Sequence, residues 1–278
     1  MTIKSKFKMI LLNMFFISVC TFTMIPILYA LSVSLNAGGG LLGADFRFIP
    51  REFTLMHYRA VVFEQPILLW FRNTLTFAIA SVTIVLFITI PGAYSLSRFR
   101  FKGRLAVTNL LLLLHAFPAI LSMFAIFRLM SPMGLINTRL GLAVIYIGVM
   151  SVFGLLNLKG YFSSIPIELE EAASIDGANA WHIVTWILLP LSMPAIIVTG
   201  VMVMIFVWNE YIFAITFMTG AANYTLSAGL FSLQATDMTG SWPVFSAAAI
   251  FVSIPILIIF FLAQRYMVTG LTAGGVKG

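Results

Sequence analysis

The sequence has very few of the residues that build disulfides, metal centres or a water-facing surface. It contains one cysteine and three histidines among 278 residues, too few for a disulfide framework, a zinc cluster or a haem-attachment motif. Charged residues make up 9% of the chain and hydrophobic residues 61%, whereas a soluble domain carries about 25% charged residues. We therefore expect a membrane protein, and the composition excludes a soluble enzyme and a disordered chain.

The net charge of +7 is the feature of the composition that could suggest nucleic-acid binding. The 16 lysines and arginines stand in small groups beside apolar runs and do not form one basic patch. This distribution is typical of charges that orient a protein in a lipid bilayer. We therefore expect membrane lipid, and no nucleic acid, around this chain.

Long stretches without Asp, Glu, Lys or Arg predict membrane-spanning helices, because a helix needs about 20 apolar residues to cross the hydrocarbon core. Two of these stretches are merged into one span interrupted by Glu210, since residues 220–225 are too polar to remain in lipid. Pro118 is one of several prolines expected to kink the helices. The sequence predicts one all-α transmembrane domain over residues 1–278, with six spans at residues 9–35, 70–96, 105–127, 140–158, 191–218 and 244–264.

The positive charges predict that both termini lie in the cytoplasm. This topology places ten lysines and arginines inside and six outside. The first span has the basic start of a secretory signal peptide, but its uncharged stretch exceeds the about 7–15 residues of a signal peptide's hydrophobic region, so we expect an uncleaved anchor. Trp70 lies near a predicted span end, where aromatic residues mark the membrane interface.

The cytoplasmic connection at residues 159–190 stands out because it contains four of the nine acidic residues. Ser164 suits a helix N-cap, Pro166 a first helical turn, and Gly177 the end of a helix. A second short helix is predicted from about Ala178 to the residue before Pro190. Residues 163–189 therefore form a predicted helix–turn–helix, whose first helix carries one apolar stripe of Ile165, Leu169, Ala172 and Ala173.

This apolar stripe could pack beneath the chain's own membrane domain, against lipid or against a soluble partner. Lipid is the poorest host, because helices on a membrane surface normally carry Lys and Arg, whereas this one carries four acids, Glu168, Glu170, Glu171 and Asp176. The small alanines allow close approach of another backbone and favour docking in a groove. Packing beneath the bundle remains the alternative.

The same segment carries a spaced signature: Glu171-Ala172-Ala173, three residues, Gly177, nine residues, Ile187, one residue, and Leu189-Pro190. It resembles the EAA signature of the permease subunits of binding-protein-dependent ABC importers. The tail at residues 270–278 is similar to the carbohydrate branch of that family, and closely to its maltose-type permeases. The resemblance implies a type I ABC importer fold, and it implies that the residues coupling the chain to an ATPase are Glu171, Ala172, Ala173, Asp176, Gly177, Leu189 and Pro190.

The chain has no P-loop, because none of its lysines follows the required glycines and precedes Ser or Thr. The energy for transport must then come from a partner subunit or from an ion gradient. The resemblance implies a non-catalytic transporter subunit without a cofactor of its own, with ATP and Mg on partner ATPase subunits. A gradient-driven carrier is the alternative class, but it would show several ionisable groups in mid-membrane and two repeated halves. An intramembrane hydrolase is disfavoured because no nucleophile and base stand at a recognisable spacing.

Two further segments are candidates for contact with the transported solute or its carrier. Amide, carboxylate and aromatic side chains on the wall of a cavity can bind a sugar. We therefore predict that the substrate pathway is lined by Trp208, Asn209, Glu210 and Tyr211. An interfacial position for Glu210 is the alternative. By the family resemblance, the loop from Thr219 to Trp242 faces a binding protein, with contact expected at Gly220, Ala221, Ala222 and Asn223.

The composition predicts a membrane protein, and the resemblance implies a sugar importer in the cytoplasmic membrane of a prokaryote. The resemblance implies maltose, maltodextrin or a related oligosaccharide as substrate, and glycerol 3-phosphate is an alternative solute. The implied partners are a second, non-identical permease, a cytosolic ATPase dimer and an extracytoplasmic sugar-binding protein.

Overall fold

The computed structural model describes residues 3–37, 48–50, 52–236 and 242–275, and this part of the chain is built from α-helices. It contains no β-strand, only an isolated antiparallel bridge between Asn36 and Phe53. The all-α fold class predicted from the sequence is confirmed. The helices fall into two compact units, one with the chain up to Ile67 and Leu230–Ile254, the other with Leu68–Gly229 and the chain from Pro255.

The first unit begins with α1 (Ile3–Ser34), followed by the short helix α2 (Met56–Phe63). Every side chain from Phe7 to Leu28 is exposed. A helix that is apolar all round belongs in lipid or against another membrane helix. Near its end, the Ser34 hydroxyl lies 2.8 Å from the Tyr58 hydroxyl, which ties α1 to α2.

The remaining helices follow in chain order. They are α3 (Ile67–Arg98), α4 (Arg104–Ala116), α5 (Ala119–Met130), α6 (Arg139–Ser164), α7 (Glu168–Ile175), α8 (Ala180–Asn209), α9 (Ile212–Phe217), α10 (Leu226–Thr236) and α11 (Trp242–Gly275). A π-helical turn, Ile183–Leu188, lies inside α8, and a single 3₁₀ turn, Ala221–Asn223, lies between α9 and α10.

Five of the described helices are long and apolar enough to cross a membrane: Phe7–Ser34, Ile67–Arg98, Arg139–Ser164, Ala180–Asn209 and Trp242–Tyr266. The pair α4 and α5 adds a sixth if it counts as one bent span. These helices overlap the six predicted spans, and the count of six remains a prediction.

The span predicted at residues 105–127 is divided into α4 and α5, which meet at an angle of 103°. Pro118 lies at the bend, where it cannot donate a backbone hydrogen bond. The proline ring also disfavours a helical conformation for the preceding residue, and Phe117 is extended with φ −78° and ψ 127°. A proline expected to kink this span therefore separates it into two helices.

The structure also differs from the predicted boundaries around α8. We predicted a helix ending before Pro190 and a span at residues 191–218, but one helix runs from Ala180 to Asn209 and a new one starts at Ile212. Pro190 follows the π-helical turn, where the α-helical hydrogen-bond ladder is already interrupted, so the helix continues through it.

Small residues let the long helices of the second unit approach closely. A Cβ atom on Gly154 of α6 would lie 3.0 Å from Thr89 Cγ2 and 3.3 Å from Val85 Cγ1, both on α3. Asn157, one turn further along α6, donates from Nδ2 to Thr199 Oγ1 of α8 at 2.8 Å. Close packing and interhelical hydrogen bonds of this kind stabilise helix association in lipid.

Gly154→Leu is expected to destabilise the bundle, because inserting a side chain into a packed contact costs about 1–3 kcal/mol. Gly160→Leu is the matched control, since a Cβ on Gly160 of the same helix meets no atom within 4 Å. Thermal unfolding of the purified protein in detergent measures the effect. Equal melting temperatures for the two variants would contradict this packing.

Candidate functional site

The segment with the spaced signature folds into a helix with well-defined ends. Three glutamates stand in the first turn of α7, where negative charge is favourable. At the other end, Gly177 has φ +86°, a conformation that glycine adopts without a steric penalty. The N–H of Gly177 donates to Ser174 O at 3.1 Å and that of Ala178 to Ala173 O at 2.9 Å. This pair of bonds is the Schellman motif, which ends a helix and reverses the chain.

The next helix is capped directly after this turn. Asn179 accepts a hydrogen bond at Oδ1 from the His182 N–H at 2.9 Å and so begins α8. The predicted helix–turn–helix therefore has a cap on each side of Gly177, and α7 lies against the π-helical turn of α8.

Most of the residues predicted to couple this chain to an ATPase lie on an open surface. Glu171, Ala172, Asp176, Gly177 and Pro190 are exposed, and Ala173 and Leu189 are half-buried. Next to them, Ile175 is 85% exposed and Leu169 is 45% exposed. We call the exposed residues Leu169, Glu171, Ala172, Ile175, Asp176 and Gly177 the coupling surface.

The predicted apolar stripe is buried only in part. Ile165 and Ala173 are half-buried, but Leu169 and Ala172 face outward. The side chain that α7 buries is that of Glu170. The alternative in which the stripe packs beneath the chain's own bundle is therefore disfavoured, because half of the stripe lies free of it.

Glu170 forms an ion pair that the sequence analysis did not anticipate. Arg98, the last residue of α3, donates from Nε to Glu170 Oε1 at 2.6 Å, and the two side chains are 9% and 10% exposed. The same guanidinium donates from Nη2 to the carbonyl of Ile165 at 3.0 Å. The Tyr94 hydroxyl lies 3.4 Å from Glu170 Oε2. One arginine thus connects α3 to α7 and to the end of α6.

The predicted substrate-pathway residues differ in burial: Trp208 is buried, Glu210 is half-buried, and Asn209 and Tyr211 are exposed. Trp208 is buried and packs edge-to-face with Phe71, with the two ring centroids 5.8 Å apart. Asn209 is exposed and donates from Nδ2 to Ile205 O at 2.9 Å, and Tyr211 is exposed. The four residues therefore do not form one continuous exposed patch.

Glu210 stabilises the break between α8 and α9. Its Oε1 accepts a hydrogen bond from the Phe213 N–H at 2.8 Å, and its Oε2 accepts one from the Ala214 N–H at 3.3 Å. The Tyr146 hydroxyl donates to Oε2 at 2.8 Å. The contacts with Phe213 and Ala214 satisfy two free N–H groups at the start of α9, as a helix cap does.

The predicted binding-protein loop is held by side chains of α3. The Trp70 indole N–H donates to Ala221 O at 2.7 Å. Asn73 donates from Nδ2 to the carbonyls of Ala222 and Tyr224, both at 3.0 Å. Trp70 is only 2% exposed, so it serves as an internal anchor and not as the expected interfacial residue.

The other end of this loop is also fixed. Asn137, with φ +58°, accepts a hydrogen bond at Oδ1 from the Thr219 N–H and donates its own N–H to Phe217 O, both at 2.8 Å. The tip is exposed at Gly220, Ala221 and Ala222, and Asn223 is half-buried. The loop is therefore held by hydrogen bonds at both ends. Residues 237–241 of the predicted contact region lie outside the described residues.

A cavity of about 850 Å³, which the sequence did not indicate, lies at the bend between α4 and α5. Its walls are almost entirely apolar, and His115 and Ser122 are the few polar residues on them. Met202 and Phe206 of α8 line it, but Trp208, Asn209, Glu210 and Tyr211 do not. Among the described residues, no group of three or more His, Cys, Asp or Glu side chains is placed to hold a metal ion.

The chain matches a protein family and several named relatives. The model of the family described as "binding-protein-dependent transport system inner membrane component" matches residues 89–272. The chain is 34% identical to the inner membrane ABC transporter permease protein YcjP of Escherichia coli K12, over 92% of both chains. It is 35% identical to the galactooligosaccharides transport system permease protein GanQ of Bacillus subtilis, over 91% of this chain and 90% of GanQ.

A third relative is the maltose/maltodextrin transport system permease protein MalG of Escherichia coli K12. It is 33% identical, over 92% of this chain and 91% of MalG. Among solved structures, a chain of a bacterial ABC transporter involved in import of the acidic polysaccharide alginate superimposes with a TM-score of 0.80, over 96% of this chain and 98% of that one. At 24% identity this likeness shows a shared fold.

The region that the family model matches, residues 89–272, contains the EAA signature, both residues of the Arg98–Glu170 ion pair and most of the membrane helices. The relatives are aligned over about nine-tenths of their length at more than 30% identity. The chain therefore belongs to the family of inner-membrane permease components of binding-protein-dependent ABC importers.

Proposed function

We propose that this chain is one permease subunit of an ATP-driven importer that carries a maltodextrin or a related oligosaccharide across the cytoplasmic membrane of a prokaryote. The observation that carries the proposal is the coupling surface, where Glu171, Ala172 and Gly177 of the EAA signature are exposed instead of packing into the chain's own bundle. ATP and Mg are held by a separate cytosolic ATPase dimer, since the sequence has no P-loop.

The coupling surface has the chemistry of a docking element. Leu169 and Ile175 offer apolar side chains, each of which contributes about 1.5–3 kcal/mol when it is fully buried. Glu171 and Asp176 add negative charges that can pair with basic residues of a partner. Closure of the ATPase dimer on ATP then displaces α7, and the permease alternates between inward-open and outward-open states.

A sugar is the substrate class that the named relatives support. GanQ is named for galactooligosaccharides and MalG for maltose and maltodextrin, and both are aligned with nearly the whole chain. Asn209 and Tyr211, exposed at the break between α8 and α9, supply an amide and a phenol for sugar hydroxyls. Glu210 is proposed to shape this break, because Tyr146 and the α9 backbone already occupy its carboxylate.

The hydrogen-bonded loop at residues 219–225 is proposed to meet the extracytoplasmic sugar-binding protein. Its exposed tip has only small side chains, Gly220, Ala221 and Ala222, which permit close backbone approach. Pre-organisation by Trp70 and Asn73 lowers the entropy lost on binding.

We also propose a second permease subunit as partner and a cytoplasmic location for both termini. A second, non-identical permease covers apolar surface that this chain leaves open, as on α1. Both termini lie in the cytoplasm, which agrees with the excess of lysines and arginines on that side.

Uptake into proteoliposomes that contain the complete transporter tests this function. The probe is radiolabelled maltotriose, and we expect its uptake to require the binding protein and ATP on the side of the membrane where the ATPase lies. Vanadate is expected to stop uptake, whereas a proton ionophore is expected to leave it unchanged. Unlabelled maltose and glycerol 3-phosphate serve as competitors and distinguish the two solute classes. Uptake that stops with the ionophore but persists with vanadate would identify a gradient-driven carrier and overturn the proposal.

A further inference from the structure

The ion pair between Arg98 and Glu170 lies directly behind the coupling surface. Glu170 and Glu171 are neighbours on α7, but one carboxylate points to Arg98 and the other side chain is exposed. Adjacent residues on a helix are about 100° apart, so a single short helix presents one glutamate to a partner and one to its own bundle. The two acids therefore have separate roles.

The contacts of Arg98 join three helices at one point. Its Nε reaches Glu170 of α7, and its Nη2 reaches the carbonyl of Ile165, which directly follows α6. Arg98 is itself the last residue of α3. Nearby, Arg104 of α4 donates to Ser97 O at 3.3 Å, so the start of α4 is connected to the same end of α3.

Besides this ion pair, α7 contacts its own bundle at the π-helical turn of α8. Its helix is eight residues long, and its larger apolar side chains, Leu169 and Ile175, face outward. Glu170 is the residue that it buries. An arginine with two directed hydrogen bonds is more rigid than a lysine in such a place, because its planar guanidinium fixes the direction of each bond.

We propose that Arg98 and Glu170 are positioning residues that make the end of α3 move together with the coupling surface. This inference rests on the proposed function, in which α7 is displaced by the ATPase. The ion pair has a fixed hydrogen-bond direction and is almost inaccessible to water. A displacement of α7 therefore moves the end of α3 with it, instead of being absorbed by bending between the two helices. From α3 it reaches α6 through the close contact of Thr89 with Gly154.

The first test measures whether α7 and α3 move as one body. Cys20 is the only cysteine of the chain, so Cys20→Ala gives a background for spin labels at Ser174→Cys on α7 and Arg100→Cys beyond α3, both exposed positions. Electron paramagnetic resonance on the complete transporter in nanodiscs gives the label distance without nucleotide and after trapping with ATP and vanadate. We expect the same distance in both states.

The double variant Arg98→Met with Glu170→Met removes both charges together and leaves no unpaired buried charge, so it retains a packed contact. In this variant we expect trapping to shift the label distance by several ångström. The same distance in both states would overturn the inference. Failure of the double variant to assemble would also overturn it, because the pair would then serve folding alone.

The amount of maltotriose transported per ATP shows whether Glu170 positions α7 or only stabilises the fold. Glu170→Gln is expected to keep the ATPase bound and hydrolysing ATP, while maltotriose transported per ATP falls by about fivefold or more, the scale of coupling free energies between sites. Glu168→Gln, an exposed carboxylate on the same helix, is the control and is expected to transport normally. An unchanged ratio in Glu170→Gln would contradict the positioning role.

The Glu171→Lys variant distinguishes failure of the proposed function from failure of the positioning role. If Glu171→Lys still binds the ATPase, the docking surface is wrong and the proposed function fails. If Glu171→Lys loses the ATPase but the Arg98 and Glu170 variants stay fully coupled, only the inference about positioning fails.

Discussion

Proline at position 177 is expected to abolish uptake while leaving the protein inserted in the membrane. Gly177 has φ +86° and donates its N–H to Ser174, whereas proline fixes φ near −65° and has no N–H. The substitution costs about 3 kcal/mol or more in the local turn and removes the Schellman motif that ends α7. Radiolabelled maltotriose uptake and the amount of co-purified ATPase measure the result, and both are expected to fall to background.

Graded and matched variants show whether this loss is specific to the turn. Gly177→Ala keeps the N–H but must adopt a left-handed conformation at a cost of about 1–2 kcal/mol, so an intermediate loss is expected. Glu171→Lys reverses a charge on the coupling surface without touching the turn and is expected to abolish ATPase binding. Glu64→Lys, an exposed charge reversal outside this segment, is the control. Normal uptake in both Gly177→Pro and Glu171→Lys would refute the role of α7.

Asn73→Leu is expected to cause the second large loss, in uptake that depends on the binding protein. Asn73 is buried and donates to the carbonyls of Ala222 and Tyr224. Leucine leaves both carbonyls without their donor, at about 1–3 kcal/mol for each unsatisfied group. The loop then loses its fixed shape, and uptake stimulated by the binding protein is expected to fall about tenfold or more.

Thr76→Val is the matched control for this prediction. Thr76 lies on the same helix, is exposed, and bonds only within the helix, to Arg72 O at 2.7 Å. The comparison needs the melting temperature as well as the uptake, because Asn73→Leu must remain assembled to be informative. Stimulated uptake at the wild-type level in a folded Asn73→Leu protein would show that the loop does not meet the binding protein.

The residues of α7 show which features the sequence determines locally. The acidic first turn and Gly177 agree with the start and end of this helix, because backbone conformation depends on near neighbours. The predicted N-cap was wrong: Ser164 is the last residue of α6, and α7 begins only at Glu168, after Pro166, without a side-chain cap. The direction of each glutamate could not be predicted in the same way. It depends on Arg98, which lies 72 residues before Glu170 in the chain. A long-range ion pair leaves no periodic signal in one sequence.

Glu210 and Trp70 illustrate the same limit in the membrane helices. A lone acid in an apolar stretch predicts a special position, and Glu210 indeed ends one helix and caps the next. The sequence could not reveal its partner Tyr146, 64 residues away. Trp70 matched the pattern of an interfacial aromatic, yet it anchors a loop 151 residues further along the chain. In both cases the decisive contact is tertiary.

The bend at Pro118 was predictable as a kink, but its angle and the cavity beside it were not. Proline determines that the helix is interrupted, because it lacks an N–H and restrains Phe117. The angle of 103° and the cavity depend on how α4 and α5 pack against α6 and α8. Apolar lining residues such as Val149 and Met202 look like any other membrane residues in the sequence.

Site-directed cross-linking from the coupling surface tests the central claim most directly. In the Cys20→Ala background, Ala172→Cys places a single exposed thiol on α7, and Phe63→Cys on α2 is a control thiol that is also exposed. The complete transporter is treated with a short photoreactive maleimide, and the joined peptides are identified by mass spectrometry. We predict that Ala172→Cys, but not Phe63→Cys, joins to a P-loop ATPase subunit and that Glu171→Lys removes this product. An ATPase that co-purifies without ever joining to Ala172→Cys would contradict the account.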